Sequence, residues 1–242
     1  MESGKEYKLG WIATYVPAIN RVLLENIFII LLVEYSFIQR LTSIYYGLGS
    51  GVDVSMHYLI ASHIQRYKEF ILLGPAHGNI WMQSPLYFYL LAALLFAKPG
   101  IVTLFKANIL LQIVPLYCLY IVAKRLFSPG TAYCAALLFA FSTVGLALSG
   151  AMSDPYASHA FLSICYALLA IAWTRKKSGI PLIIASVIAY AVACSLYIGA
   201  FAILPLMAVL FFFALRRQEA GKESYVLAAL SGLFILGLAH LH

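Results

Sequence analysis

Two carboxylates of this chain stand where chemistry at a surface is feasible, Asp53 in GLGSGVDVSMHY and Asp154 in GAMSDPYASH. Brought to one place, such a pair can act as a general base with a second charged group, or hold a divalent cation. Each also fits a plainer role. Asp53 follows Gly51 and precedes a helical pattern, and Asp154 precedes Pro155 at the start of another. Both therefore suit an N-cap, where a side-chain oxygen takes up a free backbone N–H. The residues alone leave both roles open, and one side chain can fill both. His57, four residues after Asp53, shares its helix face. No two of His57, His63, His77 and His159 have zinc-ligand spacing, His57 and His63 being six apart, so no histidine metal site is expected. Cys118, Cys134, Cys165 and Cys194 all lie within apolar runs without a CxxC pair and are expected to be buried free thiols.

The elements that must position these residues belong to a bilayer. Hydrophobic residues make up 63% of the 242 and charged ones 10%, with a mean hydropathy of +0.91. A soluble domain is roughly half apolar and about a quarter charged, so a soluble globular domain and a disordered chain are both excluded. The net charge of +7 comes from Lys and Arg in short clusters between apolar runs, which membrane topology explains and a nucleic-acid partner does not. The apolar runs are 22–45, 84–97, 101–123, 130–149, 156–173, 180–215 and 224–242. The run 84–97, with 14 residues, is short for a crossing helix and suits an interfacial or re-entrant one. The run 180–215 is too long for one span, breaks at Ser195–Gly199 and is flanked by Lys177 and Arg216–Arg217, so it reads as a hairpin of two short helices. Glu2, Lys5, Glu6, Lys8 and Arg21 precede the first run and no small-x-small cleavage site follows it, so that run reads as a retained span.

The positive-inside rule then assigns sides. If 84–97 does not cross, Lys5, Lys8, Arg21, Lys124, Arg125, Arg175, Lys176, Lys177, Arg216, Arg217 and Lys222 are cytoplasmic, 11 of the 16 Lys and Arg. Arg40, Arg66, Lys68, Lys98 and Lys106 remain outside or near the outer interface. If 84–97 does cross, Lys124–Arg125 and Arg175–Lys177 all become external, which the rule disfavours. The expectation is an all-α polytopic membrane protein with about seven transmembrane helices. Residues 1–21 form a cytoplasmic segment, 22–242 the membrane domain, and 46–100 a long external loop. In that loop Met56, Ile60, Ile64, Tyr67 and Ile71 make a helical stripe opposite Ser55, Ser62, Gln65, Arg66 and Glu69, which predicts an amphipathic helix on the membrane surface. Gly74–Gly78 breaks it and Ser84–Pro85 opens the short helix. Asp53, Glu69 and Asp154 are then the external carboxylates, with Asp53 and Asp154 at one membrane depth. Arg21 and Glu25, at i and i+4, form a pair at the cytoplasmic edge. Glu34, within the first span, is expected to face other helices, because a carboxylate in hydrocarbon is costly.

Four segments in order resemble the GT-C glycosyltransferase superfamily. YYGLGSGVDVSMHYLIASHI resembles its acidic first loop, where an aspartate soon after the first span opens a pattern of the type D-x-x-x-Y-x-x-x-A. QSPLYFYLLAALLFAKPG, at 83–100, resembles its P-P-L-Y-Y-x-L segment. IVPLYCLYIVAKRLFSPGTAYCAALLFAFS, at 113–142, resembles its next helix pair, with Ala123–Phe127 at the A-R-R-L-F-G turn. SGAMSDPYASHAFL, at 149–162, resembles its second acidic loop, and the resemblance as a whole covers about 46–215. It implies a transferase that moves a sugar from a polyprenyl-phosphate donor to a protein, glycan or lipid acceptor on the external or lumenal side, in a plasma or endoplasmic-reticulum membrane. Dolichyl-phosphate-mannose mannosyltransferases and bacterial lipid A aminoarabinose transferases belong to this group. By the resemblance Asp53 is the catalytic aspartate, acting as base, and Asp154 the second-loop acid that arranges substrate or a divalent cation, with no other cofactor implied. Gln83 stands where some members have a lysine facing the donor phosphate, which leaves Arg66, Lys68 or His77 for that contact, with His57 beside the substrate. Only the N-terminal half of the family pattern is matched. The alternative reading is therefore a non-catalytic or truncated relative that binds lipid or completes its fold with a partner polypeptide.

Overall fold

Where water is absent each backbone N–H and C=O must be bonded within its own segment, and runs as apolar as these satisfy that only as helices. The structure, a computed structural model, describes residues 26–42, 52–71, 76–77, 81–82, 85–142, 154–175 and 179–240. The helices are α1 (26–42), α2 (Val52–Tyr67), α3 (Leu86–Ala97), α4 (Ile101–Leu126), α5 (Pro129–Ala140), α6 (Asp154–Thr174), α7 (Ile180–Leu196), α8 (Leu204–Arg217) and α9 (Lys222–His240). A 3-10 helix, Ile198–Ile203, links α7 to α8. Between α2 and α3 a two-residue strand β1 (Ala76–His77) pairs antiparallel with β2 (Trp81–Met82), His77 opposite Trp81.

The predicted boundaries hold where the chain carries its own punctuation. Pro85 stands at the N-cap of α3, and its helical φ of −68° suits that place. Gly100, at φ +127°, makes the sharp entry to α4 that a side chain would oppose. Ser128 caps α5 by accepting from the Thr131 N–H at 3.2 Å. The 180–215 run does break in two, at Tyr197, where α7 ends in extended backbone.

The all-α class is as expected, and the described residues include candidates for some of the predicted crossings. Three helical stretches among the described residues are long and apolar enough to cross a membrane: Ile101–Leu126, Ala157–Thr174 and Gly199–Arg217. α5 has 12 residues, about 18 Å of helix against a hydrocarbon core of about 30 Å. The predicted span 130–149 is helical only to Ala140, and 143–149 lie outside the described residues. α3 also has 12 residues, the same length as α5. The pair Arg21–Glu25 and the break at Gly74–Gly78 fall largely or wholly outside the described residues. α2 ends earlier than that break, because Lys68 takes a left-handed φ of +56° immediately after Tyr67.

Contacts along the helices define two ends. Leu104 in the first turn of α4, Ala157 in the first turns of α6 and Leu196 at the end of α7 share one apolar cluster with α2 and α3. At the opposite end Gln218, just past α8, donates through Nε2 to the carbonyls of Ala172 and Arg175, both at 2.9 Å, and accepts from the Gly179 N–H at 3.2 Å. The Arg217 guanidinium there lies 4.9 Å over the Trp173 ring. α4 and α6 therefore run parallel and α7 runs antiparallel to α6, as the Ser158 Oγ bond to the Ala193 carbonyl at 2.9 Å also requires. α5 lies against α4 through Ala132, Ala136 and Ala140, an i, i+4 row of fully buried small residues that lets two backbones approach. The first half of α1, Ile29 and Leu32, joins that contact beside Leu116 and Tyr120.

Candidate functional site

The end covered by α2 and α3 includes the helix starts that carry Asp53 and Asp154. α2 presents His57, Ala61 and Ile64 to α3, which answers with Tyr87, Phe88, Leu91, Ala92 and Leu95. Two polar contacts fasten the pair: Gln65 Nε2 donates to the Leu95 carbonyl at 2.9 Å, and the Tyr89 hydroxyl donates to the Ile71 carbonyl at 2.6 Å. The predicted stripe Met56–Ile60–Ile64–Tyr67 is thus turned by about one position. Tyr67 points out, 58% exposed, and His57 points in. The small side chain of Ala61, wholly buried, sets that rotation by letting α3 approach there.

Asp53 is the second residue of α2 and Asp154 the first of α6, so both begin helices at this end. Their side chains, and that of His77 in β1, lie outside the described residues. His57, one turn beyond Asp53, is 3% exposed, with its ring edge-on to Tyr87 at 5.2 Å and to Phe88 at 5.5 Å. Ala157, one turn into α6, belongs to the same cluster as Tyr87 and Phe88. Arg66 is exposed in the last turn of α2, its guanidinium 5.8 Å over the Tyr67 ring. Thirteen residues separate it from Asp53, about 20 Å along the helix. The fold therefore brings the start of α2 and the start of α6 to one apolar platform and leaves Arg66 at the far end of its helix. Glu69, the third predicted external carboxylate, is held by His63 Nε2 at 2.7 Å on the exposed side. Among the described residues no three His, Cys, Asp or Glu side chains come together. His57 lies against aromatic rings and His63 is bonded to Glu69.

Sequence reasoning missed the polar interior of α1 and α4. Arg40, counted among the outer basic residues, is 1% exposed, and its Nη1 donates to the Ser36 carbonyl at 3.2 Å. The start of α1 shares a cavity with the end of α4, so Arg40, ten or more residues further on, lies toward the α2–α3 end. Ser36 is wholly buried, and its Oγ and the Gln39 Oε1 have no hydrogen-bond partner among the described residues. α4 carries buried Asn108 and Gln112 in the half nearer the same end, Gln112 Nε2 again without a partner among the described residues. The available signal was the Ser-x-x-x-Arg and Asn-x-x-x-Gln spacing inside apolar runs, since buried polar groups in such runs mark function. Two expectations are corrected. Glu34 is exposed and faces away from the other helices, and Cys134 is exposed while Cys118, Cys165 and Cys194 are buried, all four free. α1 turns its Ile29–Leu32–Ser36–Arg40 side inward, which places position 34 opposite.

Compared with models of known protein families, with curated proteins and with solved structures, the chain matches none. The fold by itself defines an all-α chain, with three helical stretches among the described residues long and apolar enough to cross a membrane.

Proposed function

We propose that the chain is a multi-pass membrane glycosyltransferase of the GT-C kind, acting on the face that carries α2 and α3. The observation that supports this best is the shared platform: the helices that begin with Asp53 and Asp154 start at one end of the bundle, under an amphipathic helix suited to the headgroup region. In this reading about seven segments cross and residues 46–100 stay outside. A sugar linked to a polyprenyl phosphate enters with its lipid tail along the helices. The acceptor hydroxyl or amine forms a bond to the anomeric carbon as the bond from that carbon to the phosphate oxygen breaks. The Asp53 carboxylate takes the acceptor proton, and polyprenyl phosphate departs as the anion, through a transition state of oxocarbenium character. Asp154 arranges the substrate. Buried Arg40, Ser36 and Gln112 supply polar groups toward the same end, where a leaving phosphate needs hydrogen-bond donors.

The test is transfer from a labelled polyprenyl-phosphate sugar by purified protein. Asn caps a helix about as well as Asp but is no carboxylate base. Asp53→Asn is therefore expected to keep its thermal midpoint and to lose activity by roughly 10²–10⁴-fold, with Asp154→Asn losing less. Near-normal turnover by Asp53→Asn overturns the assignment. A second reading, that the chain works beside a partner polypeptide, is favoured by Glu34, an exposed carboxylate on an apolar helix, on the side opposite the buried residues of α1. Its signature in the same assay is a silent isolated chain that gains transfer when a membrane extract is added.

A further inference from the structure

The opposite end of the bundle holds a second feature that the transferase reading does not use. A cavity of about 790 Å³ lies among α1, α4 and α6, lined by Asn26, Tyr120, Lys124 and Arg125 and, among its apolar residues, by Ile29, Ile121 and Ile171. That volume is within the roughly 300–1,000 Å³ of small-ligand sites. The Lys124 ammonium donates to the Tyr120 hydroxyl at 3.2 Å and lies 5.4 Å from the centre of its ring, so its charge is held at the cavity wall. Arg125 is exposed beside it, and Arg175 follows Ile171 by one turn at the same end of α6. A bundle that places basic groups at the rim of a cleft between apolar helices matches one kind of occupant by charge and by polarity. We infer that this cleft binds one anionic glycerophospholipid of the cytoplasmic leaflet, phosphate against Lys124 and Arg125, acyl chains along Ile29, Ile121 and Ile171.

The physical reasons are three. The negative end of the α4 dipole would repel a phosphate, but two full positive charges in the last turn outweigh about half a charge of dipole. Arg and Lys at the water–lipid boundary pair with phosphate through charge-assisted hydrogen bonds. Basic clefts between membrane helices on the cytoplasmic side select acidic headgroups over zwitterionic ones. The inference needs the bundle to sit in a bilayer and is independent of sugar transfer.

Native mass spectrometry of the purified chain, re-supplied with phosphatidylglycerol and phosphatidylcholine in equal amounts, reads the site directly. One phosphatidylglycerol retained in preference to phosphatidylcholine is the expected result. The double variant Lys124→Gln/Arg125→Gln should weaken retention roughly thirtyfold, the loss of two basic groups at a membrane surface. Lys106→Gln, on the same helix at its other end, should change nothing. If the double variant does not fold, Ile121→Trp fills the cleft without touching a charge and should likewise expel the lipid. Equal retention of phosphatidylcholine, displacement by millimolar inorganic phosphate, or wild-type retention in the double variant or in Ile121→Trp overturns the inference.

Discussion

His57 shows how one side chain is read differently by spacing and by packing. Its place four residues after Asp53 makes it a partner for a reacting group, yet its ring is 3% exposed and lies edge-on between Tyr87 and Phe88. Removing it should leave a hole at the α2–α3 contact. His57→Ala is expected to cost about 2 kcal/mol, as truncations of buried side chains of this size do, seen as a lower thermal midpoint. His57→Phe, which refills the space, should restore the midpoint. Transfer by His57→Phe then separates the two roles: full activity means packing, and a folded but inactive protein means that the ring nitrogens take part. Asp53 and Asp154 were legible as candidates because each combines a carboxylate with a helix start. Arg40 was not, because charge counting treats an arginine near the end of a span as exposed to water. Whether its stem folds inward depends on what α1 packs against, which no single stretch of sequence encodes.

Among the elements, the amphipathic helix after Asp53 was foreseen and its face was not. A stripe drawn through the large side chains takes in Tyr67 and passes over Ala61, whereas the helix contact is set by size, so the small residue went inside. Termini were legible wherever proline, glycine or a capping serine stood, at Pro85, Gly100 and Ser128. The end of α2 was missed because a lysine takes the left-handed position usually given to glycine. The Gln65 and Tyr89 hydrogen bonds hold α2 and the segment after it onto α3. With both removed, as Gln65→Ala/Tyr89→Phe, backbone amides of α2 should exchange about tenfold faster or more, since each bond is worth roughly 1 kcal/mol. The helices α6 and α7 should keep their protection, and hydrogen-exchange mass spectrometry compares the two regions directly. Equal acceleration throughout would mean that α2 and α3 unfold only with the whole bundle.

For the whole molecule, the two ends carry different chemistry: carboxylate-bearing helix starts at one, Lys124, Arg125, Arg175, Arg216 and Arg217 at the other. This polarity is what the distribution of Lys and Arg predicts, although it was read from charge order alone. Of the predicted crossings, the described residues hold three stretches long and apolar enough, Ile101–Leu126, Ala157–Thr174 and Gly199–Arg217. Single cysteines at Glu69 and Lys124, in a cysteine-free background, resolve the sides. The first should react with an impermeant reagent from outside and the second only after permeabilisation. External labelling at Lys124 would mean that α3 crosses and that Asp53 and Asp154 are on opposite faces.

Gln218 gives this architecture an order in time. Its amide bonds to Ala172 and Arg175, 46 and 43 positions earlier, and to Gly179, 39 positions earlier. At about 5–20 residues per second of synthesis, the turn between α6 and α7 leaves the ribosome some seconds before the side chain that ties it. During that interval water must serve the carbonyls that Gln218 later takes. The α6–α7 hairpin is thus born unclasped, and the arrival of α8 fastens it. A close fit surrounds the clasp: a Cβ at position 179 would lie 2.7 Å from the Gln218 Cδ, so alanine there would push the amide aside from the carbonyls it fastens.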